Sequence, residues 1–131
     1  DFDLYCRRVA GAVGVLSLPV FGADGPAEQE FALHLARALQ ITNILRDIDQ
    51  DAQIGRLYVP HEYLAAAGLD GNNGDIAKLI SDTRFAAALA PLRADAHAAF
   101  AAVDAARCAA NSDASFTSTC TPVTPGTCST I

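Results

Sequence analysis

Apolar residues along this chain recur at helical spacing and nowhere settle into the strict alternation of a strand, so the expectation is an all-α protein. Tyr5, Val9, Ala12 and Leu16 predict a first helix over residues 3–20, stopped by Pro19 and Gly22. Residues 22–26 read as a loop. A second helix, the longest, is predicted over residues 27–51, with Gly55 ending it as a C-terminal glycine. Residues 56–60 should be extended, because Pro60 biases the preceding residues away from the helical region. A short helix over residues 61–67 ends at Gly68, and the Gly/Asn-rich residues 70–75 read as turns. Residues 76–110 form an alanine-rich helical stretch, with breaks expected near Ser81 and Pro91. From Asn111 the composition turns to Ser, Thr, Pro and Cys, so one domain is expected over residues 1–110 and a disordered tail over 111–131.

Composition narrows the class of function. At 131 residues with a net charge of −6, the chain has room for one domain and lacks the basic footprint of a nucleic-acid binder. Cys6, Cys108, Cys120 and Cys128 form neither a CxxC pair nor a dense disulfide framework, and a reducing cytoplasm is the expected setting. Arg7 and Arg8 ahead of the apolar run 9–21 imitate a signal sequence. That run carries Gly11, Gly14, Ser17 and Pro19 and falls short of the ~20 apolar residues that cross a bilayer, which favours a buried helix.

The chemistry concentrates at the end of the second helix, in Gln40-Ile-Thr-Asn43-Ile-Leu-Arg46-Asp47-Ile-Asp49-Gln-Asp51. At about 100° per residue, Gln40, Asn43, Asp47 and Asp51 share an arc of about 80°. Leu39, Ile41, Ile44, Leu45 and Ile48 fill the rest of the circumference, so the helix should be buried. Two carboxylates one turn apart on a buried face call for a cation between them. A hard divalent ion such as Mg²⁺, held by Asp47 and Asp51 with the Asn43 oxygen and completed by substrate phosphate, fits that donor set. Arg46 lies off the stripe, where it could meet a diphosphate or merely a surface carboxylate. A calcium loop starting at Asp47 fails, because Ala52 and Tyr58 stand where Gly and Glu are required. His34, His61 and His97 lack ligand spacing, and His61-Glu62 lacks the second histidine of a zinc protease helix at Ala65.

Three ordered blocks carry a family resemblance: Tyr5-Cys-Arg-Arg-Val-Ala-Gly-Ala-Val-Gly14, Ala38 through Asp51, and Gly55-Arg-Leu-Tyr-Val-Pro60. Together they resemble the squalene and phytoene synthase family, strongly over residues 3–69 and diffusely to about residue 110. The second block and its continuation to Tyr58 are most similar to the bacterial branch that makes presqualene diphosphate for squalene and hopanoid synthesis. The resemblance implies an all-helical isoprenoid synthase fold whose cavity carries two facing aspartate-rich motifs. Asp47 and Asp51 match the second motif, Asn43 its accompanying ligand, and Gln40 a neighbouring cavity position. Tyr5 matches a tyrosine close to the reacting carbons, Arg46 an arginine near the diphosphates, and Val9 and Gly14 positions lining the prenyl tunnel, Gly14 leaving room for the chain.

The implied activity is Mg²⁺-dependent condensation of two farnesyl diphosphates to presqualene diphosphate with release of diphosphate. Peripheral membrane association would suit so apolar a product, and the oligomeric state is left open. The alternatives are phytoene synthesis from geranylgeranyl diphosphate and a non-catalytic piece of such an enzyme. The first aspartate-rich motif should precede Tyr5 and a basic helical segment should follow residue 110, so the expectation is a fragment that is inactive by itself.

Overall fold

The computed structural model describes residues 2–23, 25–71 and 74–113, with side chains as far as residue 108, and every regular element among them is helical. Helix α1 (Phe2–Cys6) passes through a π-helical turn (Arg7–Gly11) into α2 (Ala12–Ser17), which a 3₁₀ turn (Leu18–Phe21) closes. The long α3 (Pro26–Arg46) is followed by α4 (Ile48–Gln53), the short α5 (His61–Ala66) and α6 (Ile76–Ile80), and α7 (Phe85–Asp113). Helices α3 and α7 make the principal interface. Ile41 and Ile44 of α3 meet Phe85, Ala88, Leu89, Leu92 and Ala96 of α7, and Cys6, Val59, Leu64 and Leu69 close the cluster. Burying side chains of this size contributes about 1.5–3 kcal/mol each, which is why the alanine-rich α7 holds its place.

The corners follow from glycine. Gly55 and Gly68 both have φ +72, a conformation that costs other residues more. After α4 the Arg56 N–H reaches back to the Asp51 carbonyl at 2.8 Å, and after α5 the Leu69 N–H reaches the Leu64 carbonyl at 2.9 Å. Leu64 and Leu69 are both buried, so the second corner also anchors in the core.

Several expectations change. The stripe Tyr5, Val9, Ala12, Leu16 is not the buried side of the first helix: Val9, Ala12 and Leu16 are exposed. The Ala12 N–H bonds the Arg7 carbonyl five residues back, and this wide turn shifts the register. Cys6 and Gly11 are the buried residues of this run. A Cβ on Gly11 would lie 3.1 Å from Leu33 Cδ2, and one on Gly14 would lie 3.3 Å from the Ala32 carbonyl oxygen. Small residues thus let the first helical run approach α3. From Phe2 to Phe21 the run spans 20 residues at mean hydropathy 1.3. It is therefore long and apolar enough to cross a bilayer, where the sequence suggested a shorter, buried segment.

The second predicted helix bends at Asp47, whose φ and ψ are −99° and 10°. Hydrogen bonds from Asp47 N–H to Asn43 O and from Asp51 N–H to Asp47 O continue across the bend. Nor is that helix buried all round, since Leu39 on α3 is exposed. The break near Ser81 is present, between α6 and α7, but α7 runs through Pro91 without interruption. Pro91 and Ala87, the residue whose carbonyl loses its partner, are both exposed, while Leu89 and Leu92 on the other side are buried. Water can serve the orphaned carbonyl, and the burial offsets a proline cost of about 3 kcal/mol. Helix α7 also continues through Asp113, so residues 111–113 are helical instead of disordered. The remainder of the predicted tail and the centre of the predicted turn at 72–73 lie outside the described residues.

Candidate active site

Tyr5 sits at the start of the molecule's first helical run and meets Gln40 near the C-terminal half of α3. The Gln40 side-chain amide donates to the Tyr5 oxygen at 3.3 Å. The Tyr5 ring stacks on Tyr58, with centroids 5.7 Å apart and planes 23° from parallel, and on Phe2 at 6.4 Å. Burial, and after it the nearby Tyr58, push the Tyr5 phenol above its ordinary pKa, and Asp51 adds to the same effect. The phenol therefore stays protonated through neutral pH. Because its oxygen accepts from Gln40, its own O–H proton is available to another acceptor.

Gln40, Asn43, Asp47 and Asp51 are all half-buried, so the polar stripe faces partly into solvent instead of a closed interior. Arg46, expected off the stripe, turns back onto it. Its Nε and Nη2 donate to the two carboxylate oxygens of Asp47, each at 2.7 Å. This bidentate bond holds the Asp47 carboxyl below the usual carboxylate range and raises the guanidinium correspondingly. Among the described residues, no group of three or more His, Cys, Asp and Glu is placed to hold a metal ion. The oxygen donors of Asn43, Asp47 and Asp51 match Mg²⁺ in chemistry, as part of a coordination set to be completed by substrate or other ligands.

Tyr5 and Gln40 are thus brought together, and Arg46 with Asp47. Gly14 stands apart: the space it leaves is taken by Ala32 of α3, about two turns before Gln40. Val9 is 47% exposed on the π-helical turn.

Two features escaped sequence reasoning. Tyr58 falls in the predicted extended segment and in the third family block, but no spacing rule links it to Tyr5. Arg37 donates through Nε to Asp3 at 3.0 Å and pairs with Asp95 at 3.9 Å, while the Tyr63 hydroxyl donates to Asp95 at 2.7 Å. The hydrogen bond to Asp95 pushes the Tyr63 phenol up to about 12. This chain of contacts ties α1, α3, α5 and α7 together. Arg37 lies three residues before Gln40, so helical phase would have found it; Tyr63 and Asp95 carried no signal.

The family model for squalene/phytoene synthase matches residues 1–124. The chain belongs to the squalene/phytoene synthase family. Its isoprenoid synthase fold is all-helical, as the described residues are. It is 51% identical over 102 residues to the presqualene diphosphate synthase of Zymomonas mobilis, covering 78% of this chain and 34% of that protein. The presqualene diphosphate synthase of Sinorhizobium fredii gives 51% identity over 102 residues, 78% of this chain and 36% of that protein. Phytoene synthase 1 of Arabidopsis thaliana is 48% identical over 75 residues, 53% of this chain and 18% of that protein. The chain spans about a third of the length of its presqualene diphosphate synthase relatives. No solved structure matches it.

Proposed function

We propose that this chain forms one wall of a prenyltransferase active site that condenses two farnesyl diphosphates to presqualene diphosphate. The observation that carries the reading is the contact of Tyr5 with Gln40 at the head of the stripe Gln40, Asn43, Asp47, Asp51. The longer coverage by presqualene diphosphate synthases, 78% of the chain against 53% for the Arabidopsis phytoene synthase, favours farnesyl over geranylgeranyl substrates.

Mg²⁺ held by Asn43, Asp47 and Asp51 would supply charge neutralisation for a departing diphosphate. The chain's own groups do the rest of the work on this wall. Arg46 presents a guanidinium beside Asp47 that can exchange a carboxylate for a diphosphate, since the oxygens of either can accept both N–H groups of its planar fork. Tyr5, held neutral, offers its O–H as a donor to the leaving oxygen and is poorly suited to take up a proton. The proton lost when the cyclopropane ring closes then goes to the released diphosphate. Val9, Val13 and Leu16 present apolar surface to a prenyl chain and keep water from the allylic cation.

The test is a chimera in which residues of this chain replace the matching segment of the Zymomonas mobilis relative, assayed with Mg²⁺ and either diphosphate. Presqualene diphosphate from farnesyl diphosphate is the expected product. Asp47→Asn and Asp51→Asn, each checked for native helicity, should lower kcat/KM by about 100-fold or more, the scale of losing one charge-stabilising group. Wild-type kcat/KM in both variants overturns the assignment. The 131-residue chain alone should release no diphosphate, because one carboxylate pair neutralises a diphosphate from one side only.

A further inference from the structure

We infer that Tyr58 is a positioning residue for Tyr5, fixing the plane of the Tyr5 ring so that Gln40 meets its oxygen from one side only. The inference rests on the reading that the Tyr5 hydroxyl faces substrate.

Tyr5 and Tyr58 are brought together by a local device. The positive-φ Gly55 turns the chain sharply after α4, and the Arg56 N–H closes that turn on the Asp51 carbonyl at 2.8 Å. The segment leaving the turn is then anchored by Val59, which is buried in the core. Tyr58 lies between these two fixed points, and its ring comes to rest against Tyr5 with centroids 5.7 Å apart. Its own hydroxyl accepts from Arg56 Nη1 at 3.4 Å, so the far end of the ring is also tethered.

A hydrogen bond from Gln40 restrains the Tyr5 oxygen but leaves the ring free to rock about it. Stacking restrains the plane. Phe2 also stacks on Tyr5, but it lies on the same helix and moves with it. Gln40 from α3 and Tyr58 from the segment after the Gly55 turn are the contacts that tie the phenol to other elements, so the carboxylate stripe and the phenol are held in one frame. An aliphatic side chain at position 58 would fill much of the same space and contribute to the same core margin without fixing that plane. The ring of Tyr58, more than its hydroxyl or its volume, is therefore the working part.

Tyr58→Phe keeps the ring; Tyr58→Leu and Tyr58→Met keep apolar bulk and lose it. In the 131-residue chain, which has three tyrosines and no tryptophan, near-ultraviolet circular dichroism reads tyrosine immobilisation directly. Phe2, on the same helix as Tyr5, and Gln40 still contact Tyr5 when Tyr58 is replaced, so Tyr58→Leu should diminish the Tyr5 share of that band, defined by Tyr5→Phe, whereas Tyr58→Phe should retain it. In the chimera, Tyr58→Leu should lower kcat about 10-fold with KM nearly unchanged, a loss of orientation and not of binding, and Tyr58→Phe should restore kcat. Tyr58→Met decides the case if Tyr58→Leu loses native helicity. Full kcat and an intact Tyr5 band in folded Leu or Met variants overturn the inference, as does equal impairment in the Phe variant, which would assign the role to the hydroxyl. A native chimera without product overturns the proposed function, and the dichroism of the 131-residue chain still decides whether Tyr58 holds Tyr5.

Discussion

The run Phe2–Phe21 and helix α7 are both apolar, and they are buried to very different extents. Helix α7 is nearly half alanine, yet Phe85, Ala88, Leu89, Leu92, Ala96 and Ala99 form a buried row at helical spacing, with Ala106 buried further along. The first run has the larger side chains and turns its small ones inward. Val13, Leu16, Val20 and Phe21 are 67–82% exposed, while Cys6 and Gly11 are buried. Close approach decides this arrangement. Gly11 and Gly14 allow α3 to come near through Ala32 and Leu33, and the branched residues are left on the opposite side. Large exposed apolar faces of this kind mark surfaces that meet something else; under the proposed function they meet a prenyl chain.

The sharpest break in the comparison should come at Leu92, fully buried in α7. Leu92→Ala removes a core side chain whose neighbours on α3 cannot fully collapse, so urea unfolding of the chain should show a loss of about 3 kcal/mol. A loss under about 1 kcal/mol would mean that the α3–α7 pair is not the structural centre.

Gly14 should come second. A Cβ there would already lie 3.3 Å from the Ala32 carbonyl oxygen, and that oxygen belongs to backbone that cannot rotate away. Gly14→Val adds two methyl groups to the crowding and should cost about 2 kcal/mol by forcing α2 from α3. Gly14→Ala should cost less, because alanine gains about 1 kcal/mol of helix propensity against the contact. Equal stability of the Val variant would show that this side of the first run is open after all.

These two positions also mark what the sequence could and could not disclose. Helix boundaries at Gly22, Gly55 and Gly68 were legible because glycine at a positive φ leaves a local signature, and the polar stripe from Gln40 to Asp51 was legible because it depends only on helical phase. The register of the first run was not. A single π-helical turn at Arg7–Gly11 shifts every later residue, and nothing in the alternation of apolar side chains announces it. Pro91 misled for the opposite reason: its local rule is sound, but burial of Leu89 and Leu92 by a distant helix outweighs it. In the candidate site, the Tyr5 block and the carboxylate block were each recognisable, whereas the stacking of Tyr58 on Tyr5 and the retained bond between Arg46 and Asp47 are tertiary and rotameric outcomes.

The smallest change in stability should come from Leu16, and it separates surface from core within the same apolar pattern. Leu16 is 77% exposed, so Leu16→Ser forfeits little burial and should move the unfolding free energy by no more than about 0.5 kcal/mol. Its effect should appear elsewhere. Leu16 stands in an exposed apolar row with Val9 and Val13, three or four residues apart on one side of the run. Breaking that stripe with a hydroxyl should reduce binding of a hydrophobic dye and self-association of the chain in sedimentation, at nearly unchanged stability. A loss approaching that of Leu92→Ala would place Leu16 inside the fold and erase the difference between the two helical runs.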